Sequence, residues 1–533
     1  MLKNYELYKH TKVSTLKEFL NYCADTYGSK TVFMYADRKT EVSVSFSQFR
    51  DSVEALGTYL IANGYRNRHI AVFGENSYEW IITHFGVTCS GNIIVPIDKE
   101  LDAQSVAELL QNSDSVILVY SNTYADIAEQ LQEILPDIVY INVKQIASLV
   151  EKGKELISNS YSDYLDMAVE PTDLASIVYT SGATGKSKGV MLTHGNFMSN
   201  LYAASCLVSL SGPSILLLPL HHTFGLVAGL YSVMYYGYPL YINKSLKKIL
   251  SDFQAAKPQN TFAVPLIVET LHKNIWSTAK KQRKDKLLKL LIKISDTLRK
   301  CKIDLRKSLF KSVISAFGGN LDLIICGGAP LNSELVTAFD SLGITLLNGY
   351  GITECSPIVA VNRNKFNVVG SVGLPLICNE VNISEDGEVL VRGENVMAGY
   401  YRNDAENEKV FEDGWFHTGD LGMIDDHGAL HITGRIKNLI ILSNGENIPA
   451  ESIEAQVYSI SYVKEVVAYG QDDVIVAEVF LDDEVINAKD RIYTDIQVIN
   501  QKLPLVKNIG KVIIRDTEFP KTTTKKIKRR YGG

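Results

Sequence analysis

Charged residues are absent from Gly189 to Asn243, and no two of the seven cysteines form a C-x-x-C pair. Isolated cysteines exclude a disulfide framework and a zinc ribbon, and they suit a reducing compartment. Positive charge is not in surplus either. Lys and Arg number 54 against 60 Asp and Glu, a net charge of −6, which argues against a general nucleic-acid binder. Residues 1–6 lack the apolar core of a secretory signal, so a cytoplasmic location is expected. No solenoid-type repeat or low-complexity tract occurs. Within the charge-free stretch, residues 225–242 approach the length of a membrane span. However, Pro213, Pro219, Pro239, His221, His222 and five tyrosines between 231 and 241 interrupt or polarise this region. It reads as a buried helix and strand able to wall an apolar pocket, with at most peripheral membrane contact.

At 533 residues the chain exceeds what one hydrophobic core supports, and two or three domains are expected. Helix-like segments (52–63, 103–112) alternate with short apolar runs (69–73, 92–96, 115–120). That alternation predicts an α/β domain built on mostly parallel sheets. Apolar runs at 214–218, 261–264, 321–326 and 345–347 continue the pattern. From Val389 onward, short strands and turns at Asp386-Gly387 and Asp426-His427-Gly428 predict a β-rich subdomain. After Gly434-Arg435 the pattern becomes that of a small α+β unit of about 100 residues. The expected division is 1–436 and 437–533.

The segment Tyr179-Thr180-Ser181-Gly182-Ala183-Thr184-Gly185-Lys186-Ser187-Lys188-Gly189 follows an apolar run, Ala175 to Val178, that reads as a strand. Glycines let successive N–H groups converge on an anion, and the hydroxyls and lysines add donors and charge, so the loop is suited to a polyphosphate. A Walker A loop would require glycine where Thr180 stands. Further on, Cys326-Gly327-Gly328-Ala329-Pro330 ends a strand in glycines, where backbone can lie close to a planar base. Asn348-Gly349-Tyr350-Gly351-Ile352-Thr353-Glu354 offers an aromatic ring, a hydroxyl and a carboxylate, and Glu354 suits Mg²⁺, a hard cation. Phe416-His417-Thr418-Gly419-Asp420 presents an acceptor for ribose hydroxyls, and Arg435, fifteen residues on, could reach ribose or phosphate.

Taken in order, these segments resemble the adenylate-forming superfamily of acyl-CoA synthetases, peptide-synthetase adenylation domains and luciferases. The glycine-rich loop follows that family's phosphate-loop pattern except at Ala183. Leu218-Pro219-Leu220-His221-His222-Thr223-Phe224-Gly225 and Pro520-Lys521-Thr522-Thr523-Thr524-Lys525-Lys526-Ile527 extend the resemblance over essentially the whole chain. Gly370-Ser371-Val372-Gly373-Leu374-Pro375 and residues 434–447 look most like the medium- and long-chain fatty acyl-CoA ligases, with Asn444 where glycine is commoner. The resemblance implies that a carboxylic acid is activated to acyl-AMP with ATP and Mg²⁺. The acyl group then passes to coenzyme A or to the phosphopantetheine arm of an acyl carrier protein. It assigns Thr180, Ser181, Gly182, Thr184 and Lys188 to the phosphates, and Thr184 and Glu354 to the metal. Gly328, Ala329, Pro330, Asn348, Gly349, Tyr350, Thr353, Asp420 and Arg435 fall to the nucleotide. His222 falls near the carboxylate, Lys526 bridges carboxylate and α-phosphate, and Lys437 is the hinge of a mobile C-terminal domain.

One segment stands outside this scheme. Lys273 to Lys311 holds fourteen Lys or Arg and three Asp. Leu287, Leu291, Ile294 and Leu298 recur at helical spacing, which makes a basic amphipathic helix. Two readings stand: a solvated helix packed on the core by its apolar stripe, or a surface meeting anionic lipid or an acidic carrier protein.

Overall fold

The computed structural model describes residues 6–37, 40–181, 187–243, 245, 249–442, 447–482, 485–521, 527 and 529. The chain forms two compact units: residues 1–380 with 392–411, and residues 381–391 with 412–533. These are divisions of packing. The expected boundary at 436/437 falls inside the second unit.

The helices of the first unit start where side chains satisfy free N–H groups. Ser45 and Gln48 form a reciprocal capping box ahead of Phe46–Ala62, and Asp102 caps Ala103–Asn112. Between such helices lie short, mostly apolar strands, the pattern of sheets covered on both faces. One sheet has seven strands. Its parallel centre is Leu174–Ser181, Ile93–Ile97, His69–Phe73, Ser115–Tyr120 and Val139–Asn142, and Ser187–Thr193 turns back antiparallel at one side. The other has nine strands. Its parallel run includes Leu240–Ile242, Ser214–Leu216, Asn260–Ala263, Leu323–Cys326 and Thr345–Gly351. The expected α/β architecture on mostly parallel sheets is therefore present.

Aromatic residues fill the space under these sheets. Phe49 meets Phe85 edge-on with ring centroids 5.3 Å apart, and Phe85 meets Tyr231 at 5.6 Å. The charge-free segment supplies Tyr231 from a buried π-helix, Phe224–Tyr231, which continues into Ser232–Tyr235. No helix among the described residues is long and apolar enough to cross a membrane.

The second unit opens with an antiparallel sheet containing Glu388–Gly393, Trp415–Ile424 and Leu430–Arg435. A three-stranded sheet follows (Val463–Gln471, Val474–Leu481, Ile509–Arg515), accompanied by helices Ala450–Tyr458 and Ala488–Asn500. Ile453, Val466, Val479 and Ile492 belong to its separate core. The β-rich part and the small α+β part are both present.

The basic segment is not one helix. It breaks into Pro265–Lys281, Asp285–Lys300 and shorter pieces, and the stripe read from sequence is only half turned inward, with Leu291 and Leu298 partly buried. Leu288 and Ser295 are buried instead, while Leu287 and Ile294 are exposed.

Three histidines are locked into the first unit uncharged. Burial holds His84 down to about 3 and His194 to about 4, and burial, then the nearby Lys99 ammonium, holds His221 at about 3. His194 Nδ1 accepts the Leu16 N–H at 3.2 Å, which protonation would forbid. The unfolded chain binds these protons near pH 6.5 and the folded chain does not, so stability is complete above that value and falls as pH drops. At pH 5 each histidine should cost about 2 kcal/mol. Thermal melts from pH 8 to pH 4.5 should show a steep loss of midpoint beginning near pH 6.5. A flat profile would contradict the burial of neutral rings.

Candidate active site

In the first unit several of the residues expected to meet the nucleotide collect at the carboxyl ends of adjacent parallel strands. Cys326, ending one strand, is in register with Asn348 of the next. The chain beyond each is rich in glycine for steric reasons. Gly328 sits at φ +85° with little around it, and a Cβ on Gly351 would lie 2.1 Å from Pro357 O. Open strand ends of this kind are where α/β sheets bind ligands. Asn348 donates from Nδ2 to Ser371 O at 3.1 Å, while its buried Oδ1 has no hydrogen-bond partner. A buried acceptor without a donor is a costly vacancy for a ligand to fill. Ala329, Pro330, Gly349, Tyr350 and Thr353 lie in the same two strand-end segments.

An apolar pocket of about 670 Å³, including its open mouth, adjoins these glycines. One wall is Ile325 to Gly328 with Gly349 to Gly351. Facing them are Phe224, Ala228, Ser232 and Tyr236, spaced by four along the helical charge-free segment. The Tyr236 hydroxyl lies 2.7 Å from Val208 O, 3.1 Å from Ser205 O and 3.1 Å from His10 Nε2, so its ring is held in place. Sequence reading expected a wall here but missed these four residues. Their spacing was visible, but without polar contrast it marked no face.

Thr180 and Lys188 are cross-strand partners, as are Ser181 and Ser187, so the expected phosphate loop joins the two strands of a hairpin. Gly182 and Thr184 themselves lie outside the described residues. Lys188 Nζ is paired with Glu406 and lies 5.0 Å from the centre of the Tyr400 ring. Tyr400 donates its hydroxyl to Glu354 Oε1 at 2.9 Å. Burial, then the Glu354 carboxylate, push the Tyr400 phenol up, so it stays a donor. Lys188 and Glu354, far apart in sequence, thus join one cluster through two residues that sequence reading did not single out. Nearby in sequence to the pocket helix, His221 Nε2 is 3.4 Å from Asp98 Oδ1, and the His221 and His222 ring centres are 4.3 Å apart.

In the second unit Asp420 and Arg435 are direct cross-strand neighbours, with Nε 2.7 Å from Oδ1. Each is expected to contact a ligand, and in the structure they pair with one another. Asp420 is buried, whereas the guanidinium is partly exposed. Lys437 lies in a single turn, Ile436–Asn438, directly after this hairpin.

The matched segments cover most of the first unit: residues 20–401 correspond to the AMP-binding enzymes. The chain belongs to that family. Among AMP-binding enzymes, a long-chain-fatty-acid–CoA ligase of Mycobacterium bovis is 29% identical over 457 residues, 80% of this chain and 75% of the relative. A chloroplastic long-chain-fatty-acid–acyl-carrier-protein ligase of Arabidopsis thaliana is 26% identical over 537 residues, 84% of this chain and 74% of the relative. The crystal structure of o-succinylbenzoate CoA synthetase from Bacillus subtilis, with its acyl-adenylate intermediate, aligns over 98% of this chain and 100% of that one, with a TM-score of 0.74 at 22% identity. That agreement establishes the fold.

Lys526 lies outside the described residues, but the chain on both sides of it is anchored within the second unit. Lys521 pairs with Glu465 and with Glu518, and it bridges to Ile527. Arg529 reaches Glu454 at 2.5 Å and Glu451 at 3.5 Å. Glu454 is 7% exposed and also accepts the Ala468 N–H at 2.8 Å. Of the tail's cations, the two among the described residues, Lys521 and Arg529, are thus held by glutamates. Burial raises the Glu454 carboxyl and Arg529 pulls it back. Arg529→Ala should leave that carboxylate buried without its cation and cost the second unit about 3 kcal/mol. Urea unfolding at pH 7.5 measures this, and an unchanged midpoint would remove the anchor from the argument.

Proposed function

We propose that this AMP-binding enzyme is an acid–thiol ligase that activates a medium- or long-chain fatty acid with MgATP and transfers it to coenzyme A. The observation that carries the reading is the uncharged pocket lined by Phe224, Ala228, Ser232 and Tyr236 beside the glycine-rich strand ends. An acyl chain gains about 0.8 kcal/mol per buried methylene there. The fatty-acid ligases among its relatives support the same choice.

In the first half-reaction a carboxylate oxygen attacks the α-phosphorus of ATP, an acyl–phosphate bond forms, and pyrophosphate leaves. This chemistry asks the protein mainly for positioning and neutralisation of charge. Thr180, Ser181, Gly182, Thr184 and Lys188 hold the β- and γ-phosphates, for which Lys188 must exchange its pairing with Glu406. The unsatisfied Asn348 Oδ1 suits an exocyclic amine, and Gly328, Ala329, Pro330, Gly349, Tyr350 and Thr353 frame the base. Glu354 and Thr184 would hold Mg²⁺, which supplies charge neutralisation on the phosphate oxygens. Asp420, its charge balanced by Arg435, accepts from ribose hydroxyls. His222 stands by the carboxylate, and Lys526 bridges it to the α-phosphate.

In the second half-reaction a thiolate attacks the acyl carbonyl and AMP leaves. Residues 437–533 act as the mobile domain and Lys437 as its hinge, so Lys526 serves only the first chemistry. Lys526→Ala should lower adenylation by about 10²–10³ while thiolation of preformed acyl-AMP survives. Equal loss of both halves would remove that division of labour.

The reading is tested by pyrophosphate release across a ladder of straight-chain and aryl acids, with and without coenzyme A. Multiple turnovers that require coenzyme A support it. A single burst that coenzyme A does not extend favours transfer to a carrier protein, the reaction named for the Arabidopsis relative. Ala228→Leu, which fills the pocket, should shift the optimum to chains shorter by about two or three methylenes, each worth roughly fourfold in kcat/KM. An unmoved optimum would place the acyl chain elsewhere.

A further inference from the structure

The helix Asp285–Lys300 carries more apolar surface than the core uses. Leu288 is buried and Ile292 partly so, and these residues with buried Ser295 form the side turned to the protein. Leu287, Leu290 and Ile294 are 50%, 53% and 42% exposed. At 100° per residue these three fall within about 60° of one another, roughly 130° around the helix from the buried side. Lys286, Lys289, Lys293 and Lys300 lie about 100° to the other side of the stripe. The helix therefore has three faces: one on the core, one of exposed aliphatics and one of lysines.

Few of the surrounding cations are neutralised. Arg299 and Arg306 pair with Asp340, and Lys307 pairs with Asp322. Lys280, Lys281, Arg283, Lys284, Lys286 and Lys293 make no ion pair among the described residues. The segment carries fourteen cations against three aspartates in a chain whose net charge is −6. Just beyond the helix, Ile303 and Leu305 are exposed as well. In water such a stripe costs free energy, and a surface that takes up aliphatics and lysines together removes that cost.

We propose that this helix docks the protein on an anionic lipid bilayer, with Leu287, Leu290 and Ile294 entering the acyl boundary and the lysines meeting the headgroups. Bulky aliphatics on one face beside a lysine flank, over sixteen residues of helix, are the pattern of an interfacial helix. The charge selects acidic headgroups.

The test is sedimentation of the full chain with vesicles of phosphatidylcholine containing about 30% phosphatidylglycerol, compared with phosphatidylcholine alone. Binding should require the anionic lipid and fall about tenfold or more between low and high salt. The double variant Leu290→Gln/Ile294→Gln should weaken partitioning about tenfold with an unchanged thermal midpoint, because both side chains are already exposed. Three outcomes would overturn the proposal. One is no binding to anionic vesicles, and another is equal binding by wild type and variant. The third is capture of an acidic carrier protein through these residues without any vesicle binding.

Discussion

The strand ends near residues 326, 348 and 351 are crowded with backbone, and the rest of the first unit's site depends on that crowding. Gly351 is paired with Ile358 of the antiparallel return strand so closely that no side chain fits between Gly351 and the Pro357 carbonyl. That approach holds the end of the 345–351 strand, with Asn348 and Tyr350, against its return strand while Tyr350 still borders the apolar pocket. A polar rim and an apolar cavity are thus joined by a steric condition on a few glycines rather than by a strong interaction.

Electrostatics acts at a second level, giving charged groups partners before any ligand arrives. Lys188 with Glu406, Tyr400 with Glu354, and Asp420 with Arg435 are each joined within one unit. Each pair holds at least one group expected to meet the nucleotide. The same device anchors Lys521 and Arg529 on buried or nearly buried glutamates. A polyphosphate would compete with Glu406 for the same cation, so the cost of moving Lys188 is limited to exchanging one anion for another.

Much of this was legible in the sequence because local pattern carried it. The strands His69–Phe73 and Ser115–Tyr120 and the helix Ala103–Asn112 have the bounds that their apolar periodicity and flanking turns predict. The phosphate-loop segment follows its strand as expected. What escaped was whatever depends on two segments meeting. The Asp420–Arg435 pair needs a hairpin register, and the tail anchors need partners about sixty or more residues away. The pocket stripe failed for a different reason. A helix buried on every side has no polar face against which its periodicity can be read. For Asp285–Lys300 the reverse held: periodicity revealed an apolar stripe, but only packing shows which side faces inward.

The π-helical character of Phe224–Tyr231 has a consequence for how this pocket can vary. Along an α-helix, inserting or deleting one residue turns everything beyond it by about 100°, and a wall built from residues four apart would be scrambled by such a change. A π turn already holds an extra residue per turn, so removing one from this stretch would let it relax to α geometry and leave Ser232 and Tyr236 facing the cavity. The pocket wall can therefore absorb a one-residue deletion in this segment as well as changes in side-chain size at 228, 232 and 236.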